Sequence, residues 1–269
     1  MRKKIKHTCV VSNEPIGNKV MSLVLYYPES FPRVEAGQFI NVYLNEKEKL
    51  LPRPISVCRL EGSQLTLVYG VVGKGTKDLS SYHPGTSLRI SEPLGKGYDL
   101  SMPGKQTAYG RQASAMVVGG GLGVPPLVEL TYVLVNRGYR VDAVIGFRDE
   151  PFLQKALSEA GAQVHIATEN GTFGFGGNVL ELIQQKNLNA DCYFACGPVP
   201  MLKSLSQYIS LNGRDVQVSL EERMGCGFGA CVGCTCKIKE TVEDQIIIQR
   251  KRVCKEGPVF WGSEVAWDA

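Results

Sequence analysis

The sequence predicts an antiparallel β-barrel domain, then a doubly wound α/β domain with a parallel sheet, and then a small cysteine-rich C-terminal segment. Three observations predict this fold class. Short alternating apolar runs separated by turn residues fill residues 1–102. Strand-like and helix-like segments alternate over residues 113–220, as in βαβ units. Four of the nine cysteines lie close together within residues 221–269.

The composition is that of a globular protein and excludes several other classes. With 43% hydrophobic and 21% charged residues among 269, the chain differs from disordered and fibrous proteins. No run approaches the roughly 18 consecutive apolar residues of a membrane span, and the first residues lack the apolar segment of a signal peptide. A net charge of +4 is too small to indicate nucleic acid. We therefore expect a cytoplasmic protein that binds neither membrane nor nucleic acid.

The barrel is predicted from six runs of strand length. They are rich in β-branched and aromatic residues and end at clusters of Asn, Pro, Gly and Ser. A polar stretch over residues 101–114 has no periodic apolar face, and we place the domain boundary within it. The predicted strands are residues 5–11, 20–26, 39–43, 55–59, 65–69 and 88–90.

The α/β domain is predicted from five apolar strands that alternate with amphipathic helices. In such a sheet, ligands bind beyond the carboxyl ends of the strands. The predicted strands are residues 115–118, 141–145, 164–167, 192–195 and 216–220, and the predicted helices are 126–136, 152–159, 179–185 and 201–211.

The C-terminal segment has cysteines at a spacing typical of iron–sulfur proteins. Four residues separate Cys226 from Cys231 and two separate Cys231 from Cys234, which is the plant-type [2Fe-2S] spacing. Neighbouring glycines allow a tight loop to direct backbone N–H groups at the sulfurs. Of the two candidates for a fourth ligand, Cys236 is too close to Cys234 to reach the second iron, so we favour Cys254. A structural zinc site is the alternative, although such sites usually contain two separate short-spaced pairs.

Two loops of the α/β domain are candidates for nucleotide binding. The first is a glycine-rich turn between a strand and a helix, where a pyrophosphate could rest on the helix N-terminus. Val124 and Pro126 stand where the full fingerprint has its third glycine, and tight packing alone could explain such a turn. The second loop follows residues 192–195, and its cysteine is either a neighbour of nicotinamide or a buried structural thiol. The candidate residues are Gly119, Gly120, Gly121 and Gly123 in the first loop and Cys196, Gly197 and Pro198 in the second.

The barrel contains two further motifs suited to an anion. Arginine's planar fork fits phosphate geometry, and the turn 53–56 combines Arg53 and Pro54 with Ile55 and Ser56. Residues 73–76 precede a predicted helix start, at which Gly75 and Thr76 could cradle an anion. Each motif alone could be an ordinary surface turn. Together they suggest the pyrophosphate of a flavin.

These motifs in this order resemble the ferredoxin-reductase superfamily. The runs Ser219-Leu220-Glu221-Glu222-Arg223-Met224-Gly225-Cys226-Gly227 and Cys254-Lys255-Glu256-Gly257-Pro258-Val259-Phe260 are more specific. They are similar to the electron-transfer subunits of the NAD-dependent, two-subunit bacterial dihydroorotate dehydrogenases. The resemblance covers nearly the whole chain.

The resemblance implies particular residues for each cofactor. FAD would be held by Arg53 to Ser56, by Val68, Tyr69 and Gly70, and by Gly75 and Thr76. Iron would be ligated by Cys226, Cys231, Cys234 and Cys254. Many relatives have arginine where this chain has Gly70, so one side-chain contact with the flavin is lost here or supplied elsewhere.

The resemblance also implies a function. A catalytic subunit containing FMN oxidises dihydroorotate in pyrimidine (UMP) biosynthesis, and electrons pass through the cluster and FAD to NAD. The expected assembly is a heterotetramer with two copies of each chain. The alternatives are an electron-transfer subunit of a hydrogenase or ferredoxin:NAD(P) reductase complex, and a non-enzymatic binding module stabilised by zinc. Phe260, Trp261 and Trp267 are candidates for the partner-facing surface, with core packing as the alternative.

Overall fold

The computed structural model describes residues 4–29, 32–45, 50–101, 111–243 and 245–268. Its first domain is a closed antiparallel barrel of six strands in the order β1-β2-β5-β4-β3-β6, which confirms the predicted class. Alternate side chains point inward, and those of Leu23, Leu25, Leu65 and Leu67 are fully buried. The elements are β1 Ile5–Gly17, β2 Val20–Tyr26, β3 Phe39–Tyr43, β4 Arg53–Glu61, β5 Gln64–Gly70, the short helix α1 Lys74–Leu79, and β6 Ser87–Ser91.

The second domain is built on a sheet of seven strands in the order β10-β9-β8-β7-β11-β12-β15. All neighbours are parallel except the last pair, as expected for βαβ units. Most of the predicted linker, residues 102–110, lies outside the described residues, so the domain boundaries stay a prediction. The elements are β7 Ser114–Gly120, α2 Pro125–Asn136, β8 Arg140–Phe147, α3 Gln154–Glu159, β9 Gln163–Thr168, β10 Phe175–Gly176, α4 Val179–Gln185, β11 Cys192–Cys196, α5 Val199–Leu211 and β12 Val216–Ser219.

The C-terminal segment packs on the second domain and completes its sheet. Strands β13 Thr235–Val242 and β14 Gln245–Arg252 pair as a hairpin, while β15 Val259–Trp261 pairs antiparallel with β12. Phe260 lies opposite Val218 and is only 8% exposed, so its placement on a partner-facing surface is wrong and core packing is correct. Among the described residues no helix combines the length and the apolar composition that crossing a bilayer requires.

A partly buried ion pair joins the barrel to the second domain. Glu129 on α2 accepts hydrogen bonds from Arg59 Nη1 at 2.8 Å and from the backbone N–H of Leu60 at 3.1 Å. The Arg59 guanidinium also lies 3.8 Å from the ring centre of Tyr132. The pair therefore holds α2 against β4 with a charge on each side of the domain contact.

We expect Glu129→Ala to lower the free energy of unfolding by about 2–3 kcal/mol, because it leaves Arg59 without its counter-charge in a partly desolvated contact. Denaturant unfolding of the purified protein measures this change. The exposed pair of Lys155 with Glu159 provides the control. Lys155→Ala should change the free energy by less than about 0.5 kcal/mol, and an equal effect of both variants would contradict the interpretation.

Candidate functional site

One cleft of about 250 Å³ lies where the barrel, the α/β sheet and the C-terminal segment meet. Each part of the chain contributes residues that sequence analysis singled out. The cleft is lined by Arg53, Pro54, Ile55, Ser56, Val68, Tyr69, Gly70 and Thr76 from the barrel, by Gly123, Cys196, Gly197, Ser219 and Leu220 from the second domain, and by Glu221, Glu222, Met224 and Pro258 from the C-terminal segment, together with Phe39, Val72 and Leu122.

The two anion motifs of the barrel are in direct contact. A Cβ atom added at Gly75 would lie 2.1 Å from Nη2 of Arg53, so the guanidinium occupies the space that any other residue would fill. Arg53 Nη1 donates a hydrogen bond to the carbonyl of Leu51 at 2.8 Å. The hydroxyl of Thr76 accepts from the backbone N–H groups of Val72 and Gly73 at 3.0 and 3.1 Å, which fixes the turn before α1. The cation of Arg53 and the small residues Gly75 and Thr76 thus lie together, an arrangement that fits a pyrophosphate.

The end of β5 forms another wall of the cleft. The hydroxyl of Tyr69 donates to Asn13 inside the barrel at 3.1 Å, and burial raises the pKa of Tyr69 to about 12. Tyr69 is therefore neutral and anchored at physiological pH. A Cβ atom at Gly70 would lie 2.8 Å from the side chain of Leu122, so Leu122 takes the space next to Gly70 that an arginine would need.

The two loops of the second domain touch through their backbones. A Cβ atom at Gly123 would lie 2.2 Å from the carbonyl oxygen of Cys196, and one at Gly120 would lie 2.9 Å from Pro198 Cδ. A Cβ atom at Gly119 would instead contact side chains of its own domain, Val124 and Leu127. Gly121 has a φ of +52° with open space around it. These contacts make Gly123 the residue that allows both loops to reach the cleft.

Cys196 lies at the base of this junction. Burial raises the pKa of its thiol to about 12, although the hydrogen bond with Ser219 lowers it in part. The preceding strand residue, Ala195, accepts a hydrogen bond from the hydroxyl of Tyr98 at 3.1 Å. Cys196 is therefore an uncharged thiol beside the cleft, and the hydrogen bond from Tyr98 fixes the strand next to it.

The four predicted iron ligands form two pairs. Cys231 donates its backbone N–H to Cys226 Sγ at 3.4 Å, and Cys254 donates its backbone N–H to Cys234 Sγ at 3.5 Å. Among the described residues, no three His, Cys, Asp or Glu side chains converge as ligands of one metal ion. Two pairs of thiols fit a centre of two irons with two thiolates each.

The loop around Cys226 favours a thiolate. Burial by itself raises the pKa of Cys226, but backbone N–H groups outweigh it and lower the pKa to about 6. Two of these donors are Ala230 at 3.3 Å and Cys231 at 3.4 Å. N–H groups aimed at sulfur are the environment that an iron–sulfur cluster needs. The residues present therefore fit the predicted cluster.

Cys236 occupies a different environment. It lies in β13 opposite Lys251, and its thiol points to the Lys251 carbonyl at 3.6 Å. Burial raises its pKa to about 11. A thiol held in a strand ladder by the Lys251 carbonyl is suited to packing. Cys254 stays the predicted fourth ligand.

Residues 219–222 line the cleft although no motif in the sequence indicated them. They comprise the last residue of β12 and the three residues after it, at the carboxyl edge of the sheet where ligands bind, and this position is the signal that could have identified them. Met224 and Pro258 line the same cleft, two residues before Cys226 and four after Cys254. The cluster segment therefore borders the cleft at two points of the chain.

Comparisons with known proteins agree with this geometry. The family model for the iron–sulfur cluster binding domain of dihydroorotate dehydrogenase B matches residues 221–266, which confirms the predicted iron–sulfur segment. The dihydroorotate dehydrogenase B (NAD(+)) electron transfer subunit of Geobacillus thermodenitrificans (strain NG80-2) is 40% identical over 262 residues, covering 95% of this chain and 96% of that protein. Its counterpart from Listeria innocua serovar 6a is 37% identical, with 96% and 97% covered.

Solved structures show the same architecture. An NADH-dependent reduced ferredoxin-NADP oxidoreductase aligns with a TM-score of 0.79 at 25% identity over 97% of this chain and 90% of that one. A ferredoxin NADP+ reductase from Neisseria gonorrhoeae aligns with a TM-score of 0.64 at 18% identity over 78% and 92%. The fold expected from the resemblance is thus confirmed, and by its identity to curated relatives over nearly its full length this chain belongs to the family of dihydroorotate dehydrogenase B (NAD(+)) electron transfer subunits.

Proposed function

We propose that this chain carries electrons from the catalytic subunit of a dihydroorotate dehydrogenase through a [2Fe-2S] cluster and FAD to NAD. The observation that carries the proposal is the single cleft that brings together the barrel motifs, the loops of the α/β domain and the segment with the cysteine pairs. A flavin exchanges a hydride with nicotinamide and single electrons with a cluster, which makes it the converter between the two. The protein's task is to place these groups and to tune their surroundings.

The barrel residues would hold FAD. Arg53 is the cation for the pyrophosphate, and Gly75 leaves room for the Arg53 guanidinium against the start of α1. Ser56 supplies a hydroxyl in the cleft, where it would donate to or accept from a ring nitrogen of the flavin. Val68 and Tyr69 would cover the ring system from β5, and the uncharged phenol of Tyr69 leaves the charge of this wall unchanged.

The α/β loops would hold NAD. Gly123 and the Cys196 loop meet at the carboxyl edge of the sheet, which is where dinucleotides bind in this architecture. Gly121 leaves open space at the turn for close approach of a pyrophosphate. The neutral thiol of Cys196 would pack beside the nicotinamide without adding a negative charge next to a positively charged ring.

The cluster segment offers an exposed route to the partner. Cys231 is exposed, and the neighbouring apolar side chains of Phe228 and Val232 are 51% and 57% exposed. Exposed apolar groups around a redox centre are suited to a protein contact. We propose that the FMN-containing catalytic subunit covers this surface, in a heterotetramer with two copies of each chain. The cytoplasmic location stays a prediction.

The proposed function is tested with protein purified anaerobically with and without the catalytic subunit. We expect one FAD and two irons with two sulfides per chain, and reduction of NAD+ by dihydroorotate only when both subunits are present. A colourless chain containing zinc would favour the binding module instead. A loaded complex that reduces NAD+ with another donor but not with dihydroorotate would contradict the assignment of the partner.

The flavin part of the proposal predicts a loss of FAD on replacing Arg53. A charge-assisted hydrogen bond to phosphate contributes about 1.5–3 kcal/mol, so Arg53→Ala should weaken FAD binding about 10- to 100-fold. Equilibrium dialysis or flavin fluorescence during dilution measures the affinity. Arg89→Ala is the control, because Arg89 is an exposed arginine on β6 of the same barrel and lies outside the cleft. Equal FAD affinity in Arg53→Ala and the wild type would contradict the role of Arg53.

A further inference from the structure

A buried asparagine of the barrel contacts the cluster loop directly. Asn41 lies on β3, has no exposed surface, and donates its Nδ2 hydrogen to the carbonyl oxygen of Cys226 at 2.9 Å. Its backbone N–H donates to Ser91 Oγ at 3.0 Å, which fixes this position of the strand. The hydrogen bond to Cys226 thus connects a rigid barrel strand with the first cysteine of the ligand motif.

The cluster loop is shaped to fit this side chain. Gly227 follows Cys226 with a φ of +75°, and a Cβ atom there would lie 2.5 Å from Nδ2 of Asn41. Any larger residue at position 227 would push the loop away from Asn41. On its far side the loop is held by Arg252, which donates to the carbonyl of Gly229 at 2.8 Å. Asn41 therefore holds the end of the loop nearest the barrel.

The same asparagine adjoins the flavin motif. Asn41 pairs with Pro54 across the β3–β4 ladder, and Pro54 stands next to Arg53 in the cleft. One residue thus touches the cluster loop with its side chain and the flavin motif with its backbone strand. The position of the Cys226 carbonyl relative to the flavin motif is therefore set through a single buried side chain and one strand pair.

The side chain is not there for stability alone. Asn41 Oδ1 is buried and has no hydrogen-bond partner within the described part of the chain. An unpaired buried acceptor is unfavourable by about 1–3 kcal/mol, and an apolar side chain of similar size would avoid that penalty. Retaining an amide at this position keeps the donor to Cys226 in spite of the unpaired oxygen.

We propose that Asn41 is a positioning residue that fixes the Cys226 loop against the flavin motif and thereby sets the separation and orientation of the two electron carriers. This inference rests on the proposed function, in which the cluster and FAD exchange electrons. Electron transfer between two carriers slows as their separation grows, so a shift of this loop is sufficient to lower its rate.

The test uses the anaerobically purified holoprotein and the variant Asn41→Leu. Two readouts are needed: the electron paramagnetic resonance spectrum of the dithionite-reduced cluster, and the rate at which NADH reduces that cluster. We expect an altered spectrum and a rate that is lower by severalfold, with FAD and iron contents retained. Asn45→Ala is the control, because it removes an amide hydrogen bond to Ser87 within the same barrel, and it should leave both readouts unchanged.

If Asn41→Leu loses its cofactors, a second variant tests the positioning role of Asn41. Gly227→Ala displaces the loop from Asn41 without altering the barrel, and Gly229→Ala is its match, because Gly229 has a φ of +88° and faces the flexible side chain of Lys255. A larger change in spectrum and rate for Gly227→Ala than for Gly229→Ala supports the inference. Wild-type readouts in loaded Asn41→Leu, or equal effects of the two glycine variants, overturn it. A wild-type chain without flavin or cluster overturns the proposed function and this inference with it.

Discussion

Replacing Cys254 by serine should remove the cluster and lower dihydroorotate-dependent reduction of NAD+ by at least about 100-fold. Loss of a residue that only orients a metal ligand typically lowers metal affinity or activity 10- to 100-fold, and loss of a ligand should exceed this. The Cys254 backbone contacts Cys234 Sγ at 3.5 Å, so the two cysteines stand together as one of the two pairs. The measurement combines iron and sulfide analysis with turnover of the complex.

Cys236→Ser provides a matched control for this prediction. The thiol of Cys236 points to the carbonyl of Lys251 in the β13–β14 ladder, a contact that a serine hydroxyl can also make. We expect this variant to retain its iron and its turnover. Loss of iron in Cys236→Ser with retention in Cys254→Ser would reverse the assignment of the fourth ligand.

Adding a single methyl group at Gly123 should have the second large effect. The new Cβ would lie 2.2 Å from the carbonyl oxygen of Cys196 and 2.6 Å from Gly197 Cα, and backbone atoms cannot move aside as a side chain can. The two nucleotide loops must then separate. We expect Gly123→Ala to lower the rate of flavin reduction by NADH about 100-fold, by the same sensitivity to misplacement of reacting groups. Stopped-flow absorbance of the bound flavin measures this rate.

The control for Gly123→Ala is Gly213→Asn, on the turn after α5. Gly213 has a φ of +67°, which asparagine tolerates, and no atom lies within 4 Å of an added Cβ. NADH should reduce the flavin of the Gly213→Asn variant at the wild-type rate. If Gly123→Ala reduces its flavin at the wild-type rate with an unchanged KM for NADH, the contact between the two loops does not govern nucleotide placement.

Much of the fold could be predicted because it depends on local patterns. Strands β2 and β3 begin and end where the apolar runs predict. The side chains of β2 alternate in burial, whereas those of β3 are buried on both faces. The two-residue strand β10 is too short to have a period. Strand β15 has three residues and forms through pairing with β12, some forty residues earlier in the chain. Such non-local pairing leaves no signal in a short segment.

The site was predictable in its motifs and less so in its assembly. The spacing of Cys226, Cys231 and Cys234 gave the chemistry, because four- and two-residue intervals suit a small cluster. That the glycine loops, the barrel motifs and the tail share one cleft depends on how the domains pack. The role of Asn41 could not be seen, because a single polar residue in an apolar strand gives no information about what lies opposite its side chain.

Because β15 pairs with β12, the supply of iron should affect how well the whole polypeptide resists proteolysis and aggregation. The strand begins five residues after Cys254, so the predicted fourth ligand of the cluster also places the strand that completes the sheet. Binding of the metal also stabilises the folded segment around it. In an iron-starved cell the newly made chain should present an open sheet edge, a feature that favours proteolysis or aggregation. Assembly of the metal centre would then determine whether the subunit persists in the cell.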